Sequence, residues 1–171
     1  MISERHNYQV GDILLYNNIG DGFLRWAFGE LIQYTTSSKY VHTALYLGDS
    51  EKFGPIVAES IASGFLVKTQ GNFGHRQLRY QNGLSKKQKS QIIYNSLSMS
   101  GFSYGYVDLI KILIYEITGQ SIYNSSTKKL TCAEAIARVY QKIGIKLVAK
   151  KDYDLVYPSD ITESKELVEI S

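Results

Sequence analysis

The two halves of this 171-residue chain carry different hydrophobic periodicities, and this contrast constrains the fold more than any other feature. In the first half, short stretches alternate between apolar and polar residues, which is typical of β-strands. In the second half, apolar residues recur at helical spacing. The predicted strands are 10–16, 41–47, 56–60 and 64–69, and the predicted helices are 23–34, 84–99, 106–118 and 131–143. Strands followed by helices indicate an α+β fold with a mostly antiparallel sheet.

Length and charge narrow the class of protein further. The length fits one ordinary domain, and no repeat, linker or low-complexity tract divides the chain, so we predict a single domain over residues 1–171. The formal net charge is only +3, and lysines and arginines are spread along the chain. A protein that binds nucleic acid needs a concentrated basic face, so we expect no nucleic-acid partner.

The chain shows no segment typical of export or membrane insertion. Residues 1–10 are polar and lack the apolar run of a signal peptide. The most apolar stretch, 107–117, contains three charged residues and is too short to span a bilayer. We therefore predict a cytoplasmic protein without a transmembrane segment.

The single cysteine, Cys132, excludes an intramolecular disulfide. Its neighbours Thr131 and Glu134 match the capping box of a helix N-terminus, which places the thiol in the first helical turn. There the free backbone N–H groups and the helix dipole favour the thiolate. A lone cysteine is also commonly a small buried packing residue. These residues alone support a reactive thiol and an inert one equally.

A reactive thiol needs an imidazole base, and the chain offers three histidines. His6 lies in a polar N-terminal segment, and His75 lies in a loop beside a cationic residue that would lower its basicity. His42 stands near the start of a predicted strand, on the same face as the small Ala44. A strand is the better platform for a base that must hold its orientation, which favours His42. The alternative is an edge-strand histidine that faces water.

The imidazole in turn needs an orienting partner on its second nitrogen. Glu59 lies in a short apolar predicted strand, where an unpaired carboxylate would be costly. If this strand pairs with 41–47, Glu59 can face His42 across the ladder, at a side-chain separation of about 5 Å. Asp49 and Glu51 are the competing acids, but both lie in a predicted turn.

With these residues identified, the sequence resembles the circularly permuted branch of the NlpC-type papain-like hydrolases. This branch includes the YiiX-like and related small poxvirus proteins, with lecithin:retinol acyltransferases as distant relatives. The matching segments are 11–14, 40–48, 57–60, 64–67, 103–106, 131–134, 140–145 and 157–161. In unpermuted papain-like enzymes the cysteine precedes the histidine, so the reverse order here implies permutation. Two departures are Ala44 and Ala133, where relatives often have Gly and Ser.

The resemblance implies a fold and three residue roles. The fold would be a mostly antiparallel sheet or small barrel packed against helices, with the nucleophile at a helix N-terminus. Cys132 would be the nucleophile, His42 the base and Glu59 the orienting acid. The implied activity is that of a cysteine hydrolase of the amidase or peptidase type, which forms a thioester with a peptide-like substrate.

Two other functions stay open at this stage. One is a lipid-directed acyltransferase or phospholipase, in which 107–115 would border an acyl-chain groove, although a buried core helix is the simpler interpretation of that segment. The other is a non-catalytic binding module of the same fold. Among 14 tyrosines, Tyr16 and Tyr46 are the candidates to bind substrate as a second oxyanion donor. The histidine and cysteine spacings match no zinc motif, so we expect no metal and no cofactor.

Overall fold

The computed structural model describes residues 7–17, 39–61, 63–70, 76–104, 129–149, 153 and 156–170. Several predictions lie outside these residues: the helices 23–34 and 106–118, the proposed groove segment 107–115, and the alternative bases His6 and His75.

The described residues form strands in the first half of the chain and helices mainly in the second. The strands are β1 (Ile13–Tyr16), β2 (His42–Ser50), β3 (Gly54–Ile61), β4 (Gly64–Thr69), β5 (Arg76–Tyr80), β6 (Ser103–Tyr104), β7 (Lys129–Leu130) and β8 (Leu167–Ile170). The helices are α1 (Lys86–Met99), α2 (Cys132–Gln141) and α3 (Pro158–Thr162).

Six of these strands build one antiparallel sheet in the order β4-β3-β2-β1-β5-β8. Within the described residues β4 and β8 form its two edges, so this part of the chain is a sheet and not a closed barrel. Strands β6 and β7 form a separate parallel pair. The prediction of an α+β fold with a mostly antiparallel sheet is confirmed.

The predicted strands correspond to β1–β4, and the bounds of β4 match the prediction. The sequence analysis missed β5 and β8, which pair with each other at one edge of the sheet. In β5 only Leu78 is fully buried, and β8 has no fully buried residue. Neither strand therefore shows the apolar alternation that identified the others.

The two faces of β2 pack against different groups of residues. Leu45 and Leu47 belong to the main core, which lies between the sheet and the buried face of α2. That helical face includes Ile136 and Val139. The opposite face of the sheet carries a second, smaller apolar cluster made of Leu14, Tyr16, Ala44, Tyr46 and Val57, with Tyr8 packed against it.

A buried carboxylate ties the beginning of the chain to this sheet. Asp12 accepts hydrogen bonds from Arg79 Nε and Nη2, both at 2.8 Å, and from Gln77 Nε2 at 2.7 Å. It also accepts from the backbone N–H of Gln9 at 2.6 Å. Since Gln77 and Arg79 belong to β5, this carboxylate joins the entrance of β1 to the neighbouring strand.

No helix in the described part of the chain is both long and apolar enough to cross a membrane.

Candidate active site

Cys132 is the first residue of α2, and the capping box predicted from its neighbours is present. The Thr131 hydroxyl accepts from the Glu134 backbone N–H at 3.4 Å, and the Glu134 carboxylate accepts from the Thr131 N–H at 3.2 Å. Glu134 also binds Arg138 at 2.7 Å, so it is a capping residue, as its position indicated. The backbone N–H of Cys132 itself has no acceptor within the helix, because the first turn lacks preceding carbonyls. The thiol therefore lies in the first helical turn, at the positive end of the helix dipole.

The strand that carries Glu59 also anchors the segment that leads into α2. Ser60 donates a 2.6 Å hydrogen bond from its hydroxyl to the carbonyl oxygen of Leu130. Ser60 is fully buried and Leu130 is 1% exposed, so this bond is shielded from water. Two consecutive residues of β3 thus fix both the acid and the backbone just before Cys132.

His42 is the first residue of β2, and its ring lies between a thiol and a carboxylate. His42 Nε2 lies 2.7 Å from Glu59 Oε2. The ring also hydrogen-bonds with Cys132, and since Nε2 is occupied by Glu59, that bond uses Nδ1. Cys132, His42 and Glu59 are 5%, 7% and 4% exposed, so this row of three side chains is shielded from water. The structure therefore brings together all three residues that the sequence analysis selected.

The register of the ladder differs in one respect from the expectation. The residue directly opposite Glu59 on β2 is Ala44, not His42. Glu59 reaches His42 diagonally, which is possible because the methyl group of Ala44 occupies little space between them. Ala44 is fully buried in this position. The predicted contact between Glu59 and His42 is present, and the small side chain of Ala44 allows it.

Lys68, on the edge strand β4, is a member of the site that the sequence analysis missed. Its Nζ lies 2.6 Å from Glu59 Oε1, the carboxylate oxygen that does not bind His42. Lys68 stands opposite Val57, two positions from Glu59 on the same face of β3. The sequence carried a signal for this contact, because β3 and β4 are close in the chain and pair from Ile61 and Gly64 onward, which fixes the β3–β4 register.

The electrostatics of Cys132 and His42 favour a thiolate–imidazolium pair. Burial alone raises the pKa of the Cys132 thiol, but the hydrogen bond and charge of His42, followed by the neighbouring Thr43, lower it. Burial alone lowers the pKa of His42, but its bonds to Cys132 and Glu59 raise it to about 9. The thiol is therefore more acidic than usual and the imidazole more basic. Both shifts favour placing the shared proton on His42.

Glu59 remains a carboxylate in this setting. Burial raises its pKa, but the hydrogen bond and charge of His42, followed by those of Lys68, lower the pKa to about 2. The carboxylate is thus ionised throughout the range in which the neighbouring thiol and imidazole exchange a proton.

The two tyrosines selected from the sequence lie at different distances from the site. The Tyr16 ring centroid is 5.6 Å from that of His42, and the Tyr16 hydroxyl accepts from Gln70 Nε2 at 3.2 Å. Burial is the main reason that the pKa of Tyr16 rises to about 12, so its hydroxyl stays protonated and can donate. Tyr46 lies four residues beyond His42 on β2, about 13 Å along the strand, and packs on Tyr8. The positions favour Tyr16 over Tyr46 as a substrate contact.

No protein-family model matches the sequence, and no curated protein matches it. Among solved structures, the chain is similar to the crystal structure of metalloprotein yiiX from Escherichia coli O157:H7, DUF1105, with a TM-score of 0.70. The two chains are 17% identical, and the similarity covers 95% of this chain and 96% of that one. At this level of identity the comparison shows the fold. The chain therefore has a yiiX-like fold over nearly its whole length.

Proposed function

We propose that this protein is a cysteine hydrolase of the amidase or peptidase type with a circularly permuted papain-like arrangement. The observation that carries the proposal is the buried row Cys132–His42–Glu59, in which the thiol lies at a helix N-terminus and the imidazole is bonded on both sides. Each contact has a direct chemical use in acyl transfer. A cysteine that only filled space would need neither a hydrogen-bonded imidazole nor an ionised carboxylate behind it.

In the first half of the reaction, the Cys132 thiolate attacks the substrate carbonyl carbon. A carbon–sulfur bond forms, and the carbonyl π electrons move to oxygen. The proposed donors to that oxyanion are the backbone N–H of Cys132 and, as a candidate second donor, Tyr16. The His42 imidazolium then gives its Nδ1 proton to the leaving amine nitrogen. The carbon–nitrogen bond breaks, the amine departs and a thioester remains.

In the second half, neutral His42 takes a proton from water at Nδ1. The resulting hydroxide adds to the thioester carbonyl, and collapse of this intermediate expels the thiolate and releases a carboxylic acid. His42 is then again an imidazolium beside a thiolate, as in the starting enzyme. Glu59 holds the ring through Nε2 in both halves and stabilises its positive charge, but it does not itself take the proton.

Because yiiX is called a metalloprotein, we tested whether the described residues fit a metal ion. Among residues 7–17, 39–61, 63–70, 76–104, 129–149, 153 and 156–170, no group of three or more His, Cys, Asp or Glu side chains is placed to hold one. The two oxygens of Glu59 are already engaged, one with His42 and one with Lys68. This donor set does not fit a metal centre, and the proposed steps use none.

The proposal is tested by comparing wild-type protein with Cys132→Ser on two classes of substrate. Peptide amides, including peptidoglycan stem-peptide fragments, represent the first class, and phospholipid vesicles represent acyl esters. We expect wild-type turnover of an amide and loss of that turnover in Cys132→Ser, because serine has nearly the same shape but is a far weaker nucleophile in a site built for thiolate. Circular dichroism and the melting temperature establish that the variant is folded.

The alternatives give different results in the same experiment. Release of fatty acid without amide cleavage would establish the lipid-directed alternative and exclude the amidase. A Cys132 that reacts with iodoacetamide only near the pH of a free thiol would favour the non-catalytic module. Cys132→Ala removes the nucleophile while leaving its surroundings, so it is the form to use for capturing an uncleaved substrate.

A further inference from the structure

Lys68 makes a contact that the proposed reaction does not require. Lysine on an edge strand commonly serves to prevent strands of different molecules from pairing, and for that purpose its ammonium extends into water. Here the ammonium lies 2.6 Å from an oxygen of Glu59, whose side chain is 4% exposed. The Lys68 side chain is 39% exposed, so it spans the boundary between solvent and the buried row. The Lys68 side chain therefore directs its ammonium at Glu59, as expected of a residue that contributes to the site.

The two carboxylate oxygens of Glu59 bind different partners. Oε2 binds His42 Nε2 at 2.7 Å, and Oε1 binds Lys68 Nζ at 2.6 Å. With both oxygens held, the plane of the carboxylate is fixed, and so is the direction of its bond to the imidazole. The same lysine places a positive charge no more than about 8 Å from the imidazole ring, which acts against the negative charge of the carboxylate.

We propose that Lys68 is a positioning residue that acts through Glu59. Its ammonium fixes one carboxylate oxygen and partly neutralises the charge, so that the other oxygen orients His42 without making the imidazolium too weak an acid. This inference rests on the proposed function, in which the His42 imidazolium must give its Nδ1 proton to the leaving group. A carboxylate with no cation behind it would stabilise the imidazolium more strongly and make it a weaker acid.

The charged and titratable groups around His42 come from four elements. Tyr16 faces it from β1, Glu59 from β3 and Cys132 from α2, while Lys68 reaches Glu59 from β4. Glu134, a buried carboxylate on α2, is bound by Arg138 and by the backbone N–H of the capping residue Thr131. Lys68 is the cation that contacts Glu59, and its removal leaves every hydrogen bond of the imidazole ring in place.

The test measures two midpoints that require no substrate. One is the pH dependence of Cys132 alkylation by iodoacetamide, and the other is the titration of the His42 ring followed by NMR, with His42→Ala used to assign the signal. Lys68→Met removes the charge and keeps most of the aliphatic chain. Removal of a nearby positive charge raises both midpoints, and at this distance across a partly exposed boundary the rise is about half to one pH unit.

Matched variants separate the possible outcomes. Lys68→Arg keeps the charge and should restore both midpoints, while Lys52→Met removes a lysine charge from the exposed turn at 51–53 and should move neither. Lys68→Gln gives a second neutral variant if Lys68→Met does not fold. Unchanged or lowered midpoints in a folded neutral variant would overturn the inference and leave the proposed function standing. A wild-type Cys132 that titrates as a free thiol would instead overturn the proposed function.

Discussion

Replacing Glu59 with glutamine removes one negative charge from the site and leaves a side chain of nearly the same shape. The amide can still contact both partners of the carboxylate, which lie at 2.7 Å for His42 and 2.6 Å for Lys68. It can no longer stabilise an imidazolium. We therefore expect Glu59→Gln to reduce turnover strongly without abolishing it, and to lower the free energy of unfolding in a pH-dependent manner.

The size of the stability effect follows from the ionisation of the carboxylate. Folding lowers the pKa of Glu59 from 4.5 to about 2. Through proton linkage this corresponds to about 3 kcal/mol of stability at pH 7. Because the pKa is lowered, the contribution is fully present above pH 4.5 and is lost as the pH falls toward 2. At pH 3 about 1 kcal/mol of it remains.

The assay is urea unfolding of the wild-type protein and of Glu59→Gln at several pH values between 3 and 8. The difference in unfolding free energy should be largest near neutral pH and should shrink on acidification. Glu51→Gln removes an equal charge from an exposed turn and should change stability little at any pH. A difference for Glu59→Gln that is constant over this range, or that grows toward acid, would refute the reasoning. It would show that Glu59 is not an ionised partner of His42.

Two further predictions address the thiol and the framework around it. His42→Ala should raise the alkylation midpoint of Cys132, because burial then opposes the thiolate and only the helix dipole and Thr43 still favour it. The same substitution at His75 should leave that midpoint alone, and the opposite pattern would identify His75 as the base. Asp12→Ala should lower the free energy of unfolding by about 3–5 kcal/mol, because it leaves Arg79 without its carboxylate partner. The alkylation profile of Cys132 should stay unchanged in that variant, and a shifted profile would mean that Asp12 acts on the site as well as on stability.

Several features of this protein could be predicted from short segments because their causes are local. The capping box that sets Cys132 at a helix start involves residues within one helical turn. Likewise, the start of α1 follows from Ser85 and Gln88, which cap each other across three positions. Alternation along β2 depends only on the geometry of a single strand. In each instance the interacting groups are neighbours in the chain, so the sequence displays them together.

The site as a whole depended on how separate strands align. That Glu59 would pair with Ala44 and reach His42 diagonally follows from the β2–β3 register, including an irregularity between Tyr46 and Gly48. The contact of Lys68 with Glu59 joins residues on two strands, so it depends on the register of β3 and β4 and not on a local pattern.

The edge of the sheet formed by β5 and β8 also could not be predicted from local sequence patterns. Strand β5 pairs with β8 near the end of the chain, and both are polar and partly exposed, so neither carried an apolar pattern.

By itself the sequence determined which side chains could carry acyl-transfer chemistry and which local elements hold them, because helix caps and strand alternation act over a few residues. The tertiary structure decided their distances, the carboxylate's second partner and the edge of the sheet, because strand register is set by packing between segments far apart in the chain.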